Sequence, residues 1–156
     1  MKFSYTFLTE LISSLLILLF VYTACSKLMT LDTFQLVMSK SPMIGEHSTW
    51  LSYTVPITEL IIASLLLIPY TRKLGLYLST ILMALFTFYI GYMLATVSDL
   101  PCSCGGVLKY MSWKQHLVFN IFFTALSFTG IKLLDKQKRI IAIKPADATA
   151  TANAQA

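Results

Sequence analysis

Charge is scarce in this chain. Only 12% of its 156 residues are Asp, Glu, Lys or Arg, against 56% hydrophobic, and the mean hydropathy is +0.72. A water-soluble domain of this length needs more polar residues than that to cover its surface, so a single soluble core is excluded. Lipid solvates an apolar exterior directly, which makes the bilayer the first expected partner. Strand-type alternation is also missing, and this leaves helices. The three cysteines are too few for a disulfide scaffold, and an odd number leaves at least one unpaired within a monomer. The net charge of +5 comes from basic residues scattered at the ends of apolar runs, without aromatic or Gly-rich context, so no nucleic-acid partner is expected.

What is present is four long apolar stretches. Crossing about 30 Å of hydrocarbon takes a helix of roughly 20 residues, and residues 3–24, 50–70, 74–97 and 113–134 qualify. The expected fold is therefore all-α: a polytopic four-transmembrane-helix bundle forming one membrane domain over residues 1–136. A basic segment and then an Ala- and Thr-rich tail, 137–156, follow and are expected to be disordered. Lys2, Arg72, Lys73 and the basic residues from Lys132 to Lys144 outnumber Lys27, Lys40, Lys109 and Lys114 in the two other loops. The positive-inside rule then puts both termini and the Arg72 turn in the cytoplasm and both long loops outside. In the first of these loops "TLDTFQLVMSKSP" spaces Leu31, Phe34, Val37 and Met38 for a short interfacial helix whose role is packing. A rival reading treats the first span as a lipoprotein signal ending at Cys25, but Tyr22 stands where such signals prefer Leu.

Chemistry concentrates in the second outer loop, "DLPCSCGGV". Pro101 ends helical pairing, while Gly105 and Gly106 allow the chain to bend enough to bring the sulfurs of Cys102 and Cys104 together. A disulfide across so small a ring is strained, and strain makes the bond easy to give away in exchange. The outward face is also where bacterial disulfides form and persist. Lys109, Lys114 and His116 flank the start of the fourth span, with Ser112 as N-cap, and nearby positive charge favours thiolate. The same thiols, with His116 and Met111 nearby, suit a soft metal ion, but two cysteines fall short of a closed tetrahedral site and no metal is assigned.

Further positions stand out. Asn120, Thr124 and Ser127 form a polar stripe on the fourth helix, readable as helix–helix hydrogen bonding or as a proton or quinone path. Glu59 falls near the middle of the second span, one turn after Pro56; there it must be neutral, bonded to another helix or facing a polar cavity. Cys25 ends the first span on the side of the CSC turn, and it is either a resolving thiol or, more in keeping with a lone cysteine, buried. Glu10 lies shallower and reads as structural. Trp50, Tyr53, Tyr92, Tyr110 and Trp113 suggest an aromatic belt.

"FVYTACSKLMTLDTFQLVMSKSP", "VPITELIIASLLLIP", "RKLGLYLSTILMALFTFYIGYML" and "PCSCGGVLKYMSWKQHLVFNI", in this order and spacing over about residues 5–134, resemble the MauE/DoxX family of redox-associated membrane proteins, in its MauE branch. The resemblance implies a four-helix membrane bundle that assists disulfide formation in, or maturation of, an exported partner. Its cysteine turn corresponds to Cys102 and Cys104, its Pro-x-x-Glu feature to Pro56 and Glu59, and its Ser-Lys pair to Ser26 and Lys27.

The leading expectation is thus a thiol–disulfide protein of the bacterial cytoplasmic membrane. Its CSC pair faces the periplasm and exchanges with a thioredoxin-like protein or an exported client. His116, Lys114, Asn120, Glu59 and Cys25 are supporting candidates. A quinone near the outer ends of the third and fourth spans is a conceivable electron acceptor, although no residue pattern demands one. Two alternatives stay open: a non-enzymatic assembly or anchoring subunit with a structural CSC clip, and a thiol-based metal-handling protein.

Overall fold

The computed structural model describes residues 2–41, 44–96 and 112–153. Among the described residues five α-helices follow one another: α1 (Lys2–Met29), α2 (Leu31–Ser39), α3 (Ser48–Leu67), α4 (Arg72–Thr96) and α5 (Trp113–Asn153), with a 3-10 turn, Gly45–His47, leading into α3. No strand occurs among the described residues. Among the described residues, four stretches are long and apolar enough to cross a membrane: Tyr5–Met29, Gly45–Leu67, Arg72–Thr96 and Lys114–Ile140. The short helix expected in the first loop is α2, which buries Phe34, Val37 and Met38.

Two boundaries differ from expectation. α1 does not stop at residue 24 but runs on to Met29, so Cys25 and Lys27 are helical residues and Lys27 is not a loop cation. α5 does not stop at residue 134 either; its backbone stays helical to Asn153, although Pro145 lies inside it.

The four long helices run antiparallel in sequence order. The start of α1, the tight turn between α3 and α4, and the basic part of α5 therefore share one end of the bundle. There Gln137 donates to the Thr6 hydroxyl at 2.9 Å and Lys73 pairs with Asp135 at 2.6 Å. The other end carries α2, the 3-10 turn and the two ends joined by the link 97–112.

Between lipid-facing helices there is no hydrophobic driving force, because acyl chains are as apolar as leucine. Close packing and interhelical hydrogen bonds have to hold the bundle. Its centre joins Leu16 and Phe20 of α1, Leu66 of α3, Leu76 of α4 and Ile131 of α5. Small residues let the helices approach. A Cβ on Gly75 would stand 3.0 Å from the Leu66 backbone nitrogen and side chain, and one on Gly130 would stand 3.1 Å from Ile12 and from Leu76. Hydroxyls tie α4 to α5: Thr80 and Ser127 lie 2.8 Å apart and Ser127 donates to the Leu76 carbonyl at 3.1 Å. Leu18, Phe88, Val118 and Phe122 point outward, as lipid-facing side chains should.

A prediction follows from this contrast in space. Gly75→Val should lower thermal stability in detergent by the ~1–3 kcal/mol typical of overpacking. Gly91→Ala, where nothing lies within 4 Å of the new Cβ, should be neutral or gain up to about 1 kcal/mol from helix propensity. Circular-dichroism melts of the two variants would check both.

Candidate functional site

Helical periodicity on α1 turns Leu16, Phe20, Thr23, Ala24 and Lys27 to the bundle interior, three or four residues apart. On α3 the same spacing turns Ser48, Ser52, Pro56, Glu59 and Ala63 inward. Pro56 has no N–H to give the carbonyl four residues before it, a loss that neighbouring helices make tolerable in a membrane span. One turn later Glu59 meets α1: its Oε1 forms an ion pair with Lys27 Nζ, and the two side chains are only 1% and 10% exposed.

Removing two charges from water costs several kcal/mol per ion, and only tight pairing with further polar or aromatic contacts offsets it. Lys27 has those contacts. Its ammonium sits 5.8 Å from the Phe34 ring centroid on α2 and 5.2 Å from that of Phe86 on α4, within the range of cation–π attraction. Glu59 is less complete. Its second oxygen, Oε2, is buried with no hydrogen-bond partner among the described residues.

The pair borders a cavity of about 450 Å³. Phe34, Val37 and Met38 of α2 roof it. Leu19 and Thr23 of α1, Val55 of α3, and Leu82, Met83, Phe86 and Ile90 of α4 form apolar walls, while α5 contributes His116, Phe119 and Asn120. The Thr23 hydroxyl donates to the Leu19 carbonyl at 2.9 Å; the lysine, the carboxylate, the imidazole, the amide and the Tyr89 phenol of α4 are the chamber's principal polar groups.

The start of α5 fixes the imidazole. Ser112 N–H donates to Gln115 Oε1 at 2.9 Å and Gln115 N–H donates back to Ser112 Oγ at 3.3 Å, a reciprocal capping box that sets the helix entry and with it the facing of His116. Asn120, 3% exposed, donates to the His116 carbonyl at 3.0 Å. Deeper on this stripe, Thr124 lies 3.4 Å from Thr87, which extends the α4–α5 hydroxyl contacts.

Of the candidate residues, Glu59, His116 and Asn120 come together around this one chamber. Lys114 is exposed on the first turn of α5 and does not line it. Cys25, expected to be buried, is instead exposed, because the turn that points Ala24 and Lys27 inward rotates residue 25 to the bundle surface. Cys102 and Cys104 lie outside the described residues. Among the described residues no three His, Cys, Asp or Glu side chains form a group able to hold a metal ion. Reasoning from residues alone missed Lys27 as the partner of Glu59. The signal was available: two opposite charges, each set in an apolar run, have strong cause to meet.

The pair makes a sharp energetic prediction. Lys27→Met strands a buried carboxylate and should cost about 3–5 kcal/mol. Glu59→Gln in that background should recover most of the loss, giving a clear non-additive term in a double-mutant cycle of thermal melts. Additive losses would show that the two charges are independent.

The family model described as Methylamine utilisation protein MauE matches residues 5–133, while no curated protein and no solved structure matches the chain. That match runs from the first turns of α1 into α5 and takes in Lys27, Glu59, His116 and Asn120. On this extent of agreement, the chain belongs to the MauE family.

Proposed function

We propose that this membrane protein is a thiol–disulfide exchanger of the bacterial cytoplasmic membrane, working through Cys102 and Cys104 on the periplasmic face. The observation that carries the reading is one of connectivity. Both cysteines belong to the link 97–112, which joins Thr96 of α4 to Trp113 of α5 at the bundle end where the chamber holds Lys27 and His116. Lys114, exposed on the first turn of α5, follows the link directly, and positive charge near a thiol favours thiolate, the form that attacks a disulfide and leaves from one. The charge asymmetry of the loops supports an outward CSC pair, and family membership supports a role in the maturation of another protein.

In this reading the oxidised pair is attacked by a client thiolate. An S–S bond forms between client and chain while the Cys102–Cys104 bond breaks. The client's second thiol then displaces the chain, so the client leaves with a disulfide and the chain keeps both thiols. A thioredoxin-like periplasmic protein can stand in the client's place.

Each single serine variant tests this. Cys102→Ser or Cys104→Ser should trap a partner in a mixed disulfide, visible as a reductant-sensitive band on gels of alkylated membranes. The wild-type pair should shift by two alkyl groups after reduction. If both cysteines can be replaced by serine with client disulfides and growth unchanged, the chain is an anchoring subunit and the exchange reading is wrong.

A further inference from the structure

The chamber's polar groups specify an unusual ligand. An anionic lipid or fatty acid would seek a free cation, but Lys27 is already neutralised by Glu59, and Glu59 Oε2 would repel a second negative charge. A cationic ligand would face the Lys27 ammonium. What the groups ask for is a neutral molecule with both kinds of hydrogen-bonding atom. It needs an acceptor for Lys27 or His116 and, in one of its states, an O–H donor for the buried, unpartnered Glu59 Oε2. The aromatic rings of Phe34, Phe86 and Phe119 around these groups favour a flat ring as the body of the ligand.

Size and access agree. About 450 Å³ lies in the range of sites that enclose one small organic ligand. Leu85 of α4 lines the chamber and is also 59% exposed, so the chamber's α4 wall reaches the outer surface of the bundle. A ligand dissolved in the bilayer can enter there, ring first, and leave an apolar tail outside.

We infer that the chamber is a quinone site, taking the ring of a lipid-soluble quinone with a carbonyl oxygen toward Lys27 and His116, and its quinol with a hydroxyl donating to Glu59 Oε2. Resting on the exchange reading above, this supplies the acceptor which that reading leaves unnamed. As Cys102 and Cys104 join, two thiols lose two electrons and two protons. The quinone gains both and becomes quinol. Quinone binding itself needs neither cysteine.

The test is calorimetric titration of the purified full-length protein in detergent with a short-tailed ubiquinone and with oleate. Wild type and the Cys102→Ser/Cys104→Ser variant should bind the quinone equally and saturably. Lys27→Met/Glu59→Gln, which keeps the interior neutral, should bind at least tenfold more weakly, and Val55→Trp, which fills the chamber without touching a polar group, should not bind. Melting curves would confirm that each variant is folded. No saturable binding by wild type, equal binding by all four proteins, or displacement of the quinone by oleate at equal concentration would overturn the inference. The two readings fail separately. Trapping of a partner without quinone binding removes the quinone site alone; quinone binding without trapping removes the exchange step alone.

Discussion

A lysine ammonium and a glutamate carboxylate buried inside a membrane-protein bundle have to find each other, because neither can be left alone there without a large solvation cost. Much of this bundle's polar end is organised by that requirement. Lys27 reaches Glu59 only because α1 stays helical past residue 24 and because both residues fall on the inward stripes of α1 and α3. Phe34 and Phe86 then bring α2 and α4 against the ammonium. One ion pair thus draws four helices to one point, and the space left beside it is the chamber.

The opposite half of the bundle is held by different means. Leu66 and Leu76 pack against glycine positions where a methyl group would crowd them, and the hydroxyls of Thr80 and Ser127 bond across the α4–α5 contact. Such contacts are individually small in a membrane, of the order of 0.6 kcal/mol for an interhelical hydrogen bond. They are numerous and precise enough to fix helix positions, whereas the ion pair creates a site. The division gives the molecule a tightly packed end and a hollow one.

Much of this was legible in the sequence. Four apolar runs with polar breaks fixed the number of spanning helices and their antiparallel order, because hydrocarbon thickness leaves few other solutions. Glu59 announced itself as a charge in the wrong solvent, and the His116–Asn120 spacing announced a shared face. Two things escaped. Helix ends were placed too early: hydropathy falls at Ser26 and Lys27, but backbone hydrogen bonding does not, so α1 continues. The Lys27 partner escaped for the same reason, since a lysine assigned to a loop is assumed to be in water. Cys25 was misplaced by composition alone, as nothing about a lone cysteine reports the direction in which its helix turns it.

The capping box at Ser112 and Gln115 has a broader consequence. By securing the start of α5 from its own residues, it makes the orientation of the imidazole and of everything after it independent of how the preceding chain arrives. Loop length carries only a slowly growing entropic cost. A change in the length of the chain ahead of Ser112 therefore leaves the facing of the imidazole, and the chamber wall it forms, unaltered.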